Sequence, residues 1–132
     1  MKLAFVFPGQ GSQSVGMMQG FAESAAAQSV LAEASQALGE DLAELIANGP
    51  AERLNLTTNT QPVMLAAGLA SFAAWQEAGG PMPILVAGHS LGEYTALVAA
   101  GVLSLADAVR VVRLRAQAMQ AAVPAGEGAM AA

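Results

Sequence analysis

The pentapeptide Gly88-His89-Ser90-Leu91-Gly92 constrains this chain more than any other stretch. It follows an apolar run, Ile84-Leu85-Val86-Ala87, introduced by Pro83, and precedes a segment that reads as a helix to about Ala100. A G-x-S-x-G sequence between strand and helix is the pattern of a nucleophile turn. The turn lifts a serine hydroxyl clear of the sheet, and the flanking glycines let neighbouring backbones pass closely. Ser90 is therefore the candidate nucleophile. It also stands at a helix N-terminus, where the Leu91 N–H points towards a developing oxyanion. The plainer reading is a glycine-flanked turn with a capping serine; the strand and helix on either side favour catalysis.

His89 is the one histidine in the chain. Adjacent residues at such a turn point different ways, so His89 is not expected to act as general base for Ser90. It is expected to be a packed, hydrogen-bonded wall of the site. No cysteine is present, which removes disulfides, thiolate nucleophiles and cysteine metal sites, and no metal or other cofactor is expected.

The rest of the chain reads as alternating strands and helices. Leu3 to Phe7 is a short apolar run closed by Pro8 and Gly9, the expected buried first strand, and a polar loop follows from Gly9 to Gly16. Val30, Leu31, Ala34 and Leu38 recur at helical spacing until Gly39, and Asp41 to Asn48 forms a shorter helix before Gly49-Pro50. Thr60 is the expected N-cap of a long apolar helix with Pro62 in its first turn and Gly79-Gly80 at its end. Ser104 and Asp107 form a capping box for a last helix reaching about Ala122. This alternation indicates an α/β layer architecture with a parallel sheet, in which two strands alone look unfinished.

Composition limits the functional classes. Hydrophobic residues make up 55% of the 132 residues and charged ones 11%, so a single domain with a real core is expected. The longest apolar stretches, Val63 to Trp75 and Thr95 to Ala106, are too short to span a bilayer, and a signal-peptide pattern is missing. A soluble, cytoplasmic protein without membrane partners is expected. A net charge of −5 argues against nucleic-acid binding.

Three of the five basic residues, Arg110, Arg113 and Arg115, share one segment. Arg110 has Asp107 three residues back and Arg113 has Gln117 four ahead, so both can sit on a wet face. The helical neighbours of Arg115 are Val111, Val112, Ala118 and Met119, all apolar. A guanidinium there needs an anionic ligand, a structural carboxylate, or a snorkelling route to water; an unpaired buried charge costs on the order of several kcal/mol. Residue types alone leave those alternatives open. Gly9-Gln10-Gly11 after the first strand invites a dinucleotide fingerprint, but Ser14 stands where its third glycine belongs. The loop can instead bring a backbone N–H beside the serine, since open α/β sheets gather their sites at strand carboxyl ends.

Phe7-Pro8-Gly9-Gln10-Gly11-Ser12-Gln13, together with Gly88-His89-Ser90-Leu91-Gly92-Glu93-Tyr94, resembles the malonyl-CoA:acyl-carrier-protein transacylase family. The resemblance runs along the whole chain, through Asn59-Thr60-Gln61-Pro62 to Gly126 to Ala132. It implies an α/β-hydrolase-like core with an inserted ferredoxin-like subdomain. Residues 1–132 would be the N-terminal part of that domain, and about 124–132 the beginning of the insertion. It implies that Ser90 is acylated, that the N–H groups of Gln10 and Leu91 form the oxyanion hole, and that Arg115 binds the malonyl carboxylate. Malonyl-CoA and acyl carrier protein would be the partners, in fatty-acid biosynthesis, and the family's catalytic histidine would lie beyond Ala132. Glu93 needs no chemical role, because a carboxylate is favourable in a helix's first turn. Two other readings stand beside this one: a serine esterase or thioesterase, which shares the nucleophile turn, and a non-catalytic piece acting only by association.

Overall fold

A computed structural model describes residues 2–124 and 126–129. Strand β1 (Ala4–Phe7) is followed by a 3-10 turn at Gln19–Phe21, then by helices α1 (Ala25–Leu38), α2 (Leu42–Asn48), α3 (Ala51–Leu54) and α4 (Thr57–Glu77). Strand β2 (Leu85–Gly88) leads through the serine turn into α5 (Leu91–Ala99), and α6 (Leu105–Ala122) follows. β1 and β2 pair in parallel, with Ala4 opposite Leu85 and Phe7 opposite Gly88. That register brings the loops after both strands to the same end of the sheet.

Local chemistry explains most boundaries. Ser24 caps α1 by accepting from the Ala27 N–H, and Gly39 ends it in the left-handed region at φ 67°. Asp41 accepts from the Glu44 N–H at the start of α2, and Ser104 from the Asp107 N–H at the start of α6. Helix α4 begins earlier than expected. Thr60 lies inside it as a donor, its hydroxyl directed at the carbonyls of Leu54 (2.7 Å) and Leu56 (3.0 Å), and Leu56 is the cap residue. Pro62 is thus inside the helix. The bond it forfeits, to the Thr58 carbonyl, is one near the helix start, where the Thr60 hydroxyl donates to the carbonyls of Leu54 and Leu56 just before it. The short α3 carries too few residues to show a periodicity and is not legible in the sequence.

Helix α4 is the axis of the core. It is buried on nearly every side from Asn59 to Ala70 and contacts α1, α5 and α6, as a helix apolar all round must be. Leu42, Ile46, Leu54, Leu91, Val109 and Val112 are fully buried around it, and its own Leu65 is fully buried too. Aromatic edges fasten the sheet to α4: Phe5 meets Phe72 and Trp75 with ring centroids 5.4 and 5.5 Å apart, and Phe7 meets Phe72 at 6.1 Å.

The first strand is not buried on both sides as its apolar run suggests. Phe5, Phe7 and Val86 face the helices, whereas Val6 (75% exposed) and Leu85 (66%) lie open on the other face. The apolar run suits a sheet covered on both faces, but the described residues cover one. Among the described residues, no helix is long and apolar enough to cross a membrane. Of the expected beginning of an inserted subdomain at 124–132, residues 125 and 130–132 lie outside the described residues.

Candidate active site

Ser90 sits between β2 and α5 at φ 54°, ψ −116°, and is the one non-glycine with a positive φ among the described residues. Such a backbone costs about 1–3 kcal/mol and persists only where its surroundings enforce it. The enforcement is visible. A Cβ on Gly88 would stand 2.0 Å from the Gly92 carbonyl carbon, and one on Gly92 would stand 2.1 Å from the Phe7 carbonyl oxygen. The turn is therefore folded onto itself and pressed against the end of β1. Gly9 is also close, with the His89 carbonyl oxygen 3.1 Å from where its Cβ would be. The two loops singled out from sequence are brought together at the carboxyl ends of the paired strands.

Leu91 is the first residue of α5, and its side chain is fully buried, which fixes the turn from below. Among the described residues, neither the Leu91 N–H nor the Gln10 N–H donates to a protein acceptor. The first is an orphan of the helix start. The Gln10 side chain donates to Thr57 Oγ1 at 2.8 Å, and Gln13 donates to Asn55 Oδ1 at 2.9 Å. The loop after β1 is thereby tied to the head of α4. A cleft of about 650 Å³ opens beside Gln10, bordered by Thr57, Met119 and Gln120.

Arg115 reaches the serine from α6. Its Nη2 donates to Ser90 Oγ at 2.9 Å, its Nη1 donates to Gln61 Oε1 at 2.6 Å, and its guanidinium carbon lies 5.6 Å from the centroid of the Tyr94 ring. Among the described residues it has no carboxylate partner, whereas Arg110 lies 3.8 Å from Asp107 and Arg113 lies 2.6 Å from Glu40. Of the alternatives left open for Arg115, the structural ion pair is not found among the described residues. Arg113 is a correction to the expected wet face: its side chain is 16% exposed and bonded to Glu40 and Asn59 rather than Gln117. Helix α1 and the turn after it cover that side of α6, which spacing along α6 alone does not reveal.

His89 is also corrected. It is exposed and makes no side-chain hydrogen bond among the described residues, so it is not a packed wall. Its ring is no partner of Ser90, in keeping with its rejection as a base. The reason is the turn itself, which buries the residue after the serine and turns the one before it outwards. Glu93 is exposed in the first turn of α5. Sequence reading does not single out Gln61 or Tyr94 as parts of the site. Gln61 follows four other polar residues at the head of α4, so its residue type alone does not mark it out. Among the described residues, no group of three or more histidine or acidic side chains is placed to hold a metal ion.

A hydroxyl in an exposed strained turn, two unengaged N–H groups and a cation without a carboxylate suit acyl transfer to or from a group bearing a negative charge. Comparison with known proteins is consistent with that chemistry. The acyl transferase domain family model matches residues 4–132. A malonyl CoA-acyl carrier protein transacylase from Salmonella typhimurium is 58% identical over 99% of this chain and 43% of its own length. The crystal structure of an acyl-carrier-protein S-malonyltransferase from Burkholderia pseudomallei superposes with a TM-score of 0.91 at 67% identity, over 94% of this chain and 40% of that one. A malonyl-transacylase in complex with its type II PKS acyl-carrier protein superposes with a TM-score of 0.89 at 52% identity, over 94% of this chain and 40% of that one. The chain thus spans about 43% of the length of a curated relative it matches.

Proposed function

The chain belongs to the acyl transferase domain family, and we propose that the protein carrying it moves the malonyl group of malonyl-CoA onto the phosphopantetheine thiol of acyl carrier protein. The reading rests above all on the contact between Arg115 Nη2 and Ser90 Oγ, 2.9 Å apart. An acyl group esterified to that hydroxyl has a guanidinium within reach of its far end, and malonyl ends in a carboxylate.

The reaction proceeds in two transfers. Ser90 Oγ attacks the thioester carbonyl and gives up its proton to a base, and the tetrahedral oxyanion forms opposite the Gln10 and Leu91 N–H groups. Collapse breaks the C–S bond, CoA leaves with a proton as the free thiol, and malonyl-serine remains. The phosphopantetheine thiol then attacks this ester, its proton returns to Ser90 Oγ, and the malonyl thioester departs on the carrier protein. Arg115 holds the malonyl carboxylate bidentately throughout. The base is a histidine from outside these 132 residues, because His89 makes no contact with Ser90.

In this proposal β1 and β2 belong to an α/β-hydrolase-like core, and the chain from about residue 124 begins an inserted subdomain. The protein works in the cytoplasm in fatty-acid biosynthesis, a reading supported by its relatives, without nucleic-acid or membrane partners, which its charge and composition support. The test is made in a protein of the relatives' length, incubated with malonyl-CoA and holo acyl carrier protein. Malonyl-carrier protein should form with the unsubstituted protein and not with Ser90→Ala. Product formation undiminished in Ser90→Ala would overturn the assignment.

A further inference from the structure

Arg115 is held by neutral groups alone among the described residues, although the other two arginines of its helix meet carboxylates. The shortest of these contacts is with Gln61, which is fully buried in α4. A guanidinium has donors and no acceptor, so the atom of the Gln61 amide facing it is the oxygen. The other end of the amide donates to Met119 Sδ at 3.3 Å, which fixes its orientation from the same helix that carries Arg115.

The chemical identity of that acceptor matters. A carboxylate of the same shape would hold the guanidinium as well, but as a buried ion pair that cancels the positive charge beside Ser90. An amide oxygen directs the guanidinium without neutralising it. The Tyr94 ring face supports the cation in the same charge-sparing way. The Ser90 hydroxyl completes the set, and a substrate carboxylate can take over its bond with Nη2.

We propose that Gln61 is a specificity-determining positioning residue: it fixes Arg115 beside the nucleophile while leaving its charge for the substrate, so that the site selects acyl groups with a free carboxylate. This inference rests on the roles given above to Ser90 and Arg115.

The experiment measures loading of Ser90 from malonyl-CoA and from acetyl-CoA in a protein of the relatives' length, with Gln61→Glu and Gln61→Met. Gln61→Glu should raise KM for malonyl-CoA and lower malonyl kcat/KM on the order of a hundredfold, since it sets a carboxylate against the substrate's own. Acetyl loading should fall far less than malonyl loading, and a cooperative thermal unfolding transition shows separately that the variant is folded. Gln61→Met has similar length and flexibility and no charge, and should lose malonyl selectivity by only about tenfold. Equal loss of malonyl and acetyl loading in both variants would make Gln61 a packing residue and overturn the inference. Unchanged malonyl selectivity in Gln61→Glu would overturn it too. If the unsubstituted protein loads acetyl as readily as malonyl, the role of Arg115 fails with it; if it selects malonyl and Gln61→Glu does so equally, only the role of Gln61 fails.

Discussion

At the scale of single residues, the site combines groups that were legible in the sequence with groups that were not. The place of Ser90 and Leu91 at a strained strand-to-helix turn follows from the G-x-S-x-G pattern. Arg115 could be marked as an unusual cation but not paired, since spacing along one helix says nothing about what a different helix brings to it. Gln61 supplies that partner, 54 residues away in sequence. Arg115→Ala removes the charge while leaving the Ser90 turn intact. Malonyl loading, measured as kcat/KM in a protein of the relatives' length, should fall by about 2–5 kcal/mol. Acetyl loading should hold steady or improve, because acetyl has no carboxylate to pair. Equal losses for both substrates would make Arg115 structural.

At the scale of elements, the serine turn and the end of β1 form one unit held by close backbone contact. Gly88→Ala places a Cβ 2.0 Å from the Gly92 carbonyl, and no side chain there can yield. The variant should lose more than about 3 kcal/mol of stability in denaturant unfolding, or fail to fold. A fully stable variant would contradict the packing described. Thr95 offers the opposite case, because its hydroxyl is buried in α5 without a partner among the described residues. Thr95→Val keeps the shape and removes the unsatisfied group, so it should raise stability by about 1 kcal/mol. A loss of that size would show that the hydroxyl is satisfied in solution. Most element boundaries were readable because glycines, prolines and capping serines mark them. The head of α4 was not, since Thr60 and Pro62 carry the residue types of a helix start yet lie inside it. There the Thr60 hydroxyl donates backwards to Leu54 and Leu56 instead of accepting from the helix.

At the scale of the whole molecule, the apolar strand pattern promised a sheet covered on both faces, and the described residues cover one. Val6, Ile84 and Leu85 are 75, 61 and 66% exposed, with Leu114 at 66% on α6. Apolar side chains left open on one sheet face favour association. The isolated 132 residues should therefore sediment as oligomers, and Val6→Lys with Leu85→Lys should reduce their mass. A monomer in analytical ultracentrifugation would contradict this. The central claim is that Ser90 carries a malonyl group destined for a thiol rather than for water. The direct measurement follows the malonyl adduct on the Ser90 peptide by mass spectrometry, in a protein of the relatives' length, after excess malonyl-CoA is removed. The adduct should persist in buffer and disappear on addition of holo acyl carrier protein, with malonyl appearing on the carrier's thiol. An adduct that hydrolyses as fast without the carrier as with it would mark a hydrolase and contradict the account.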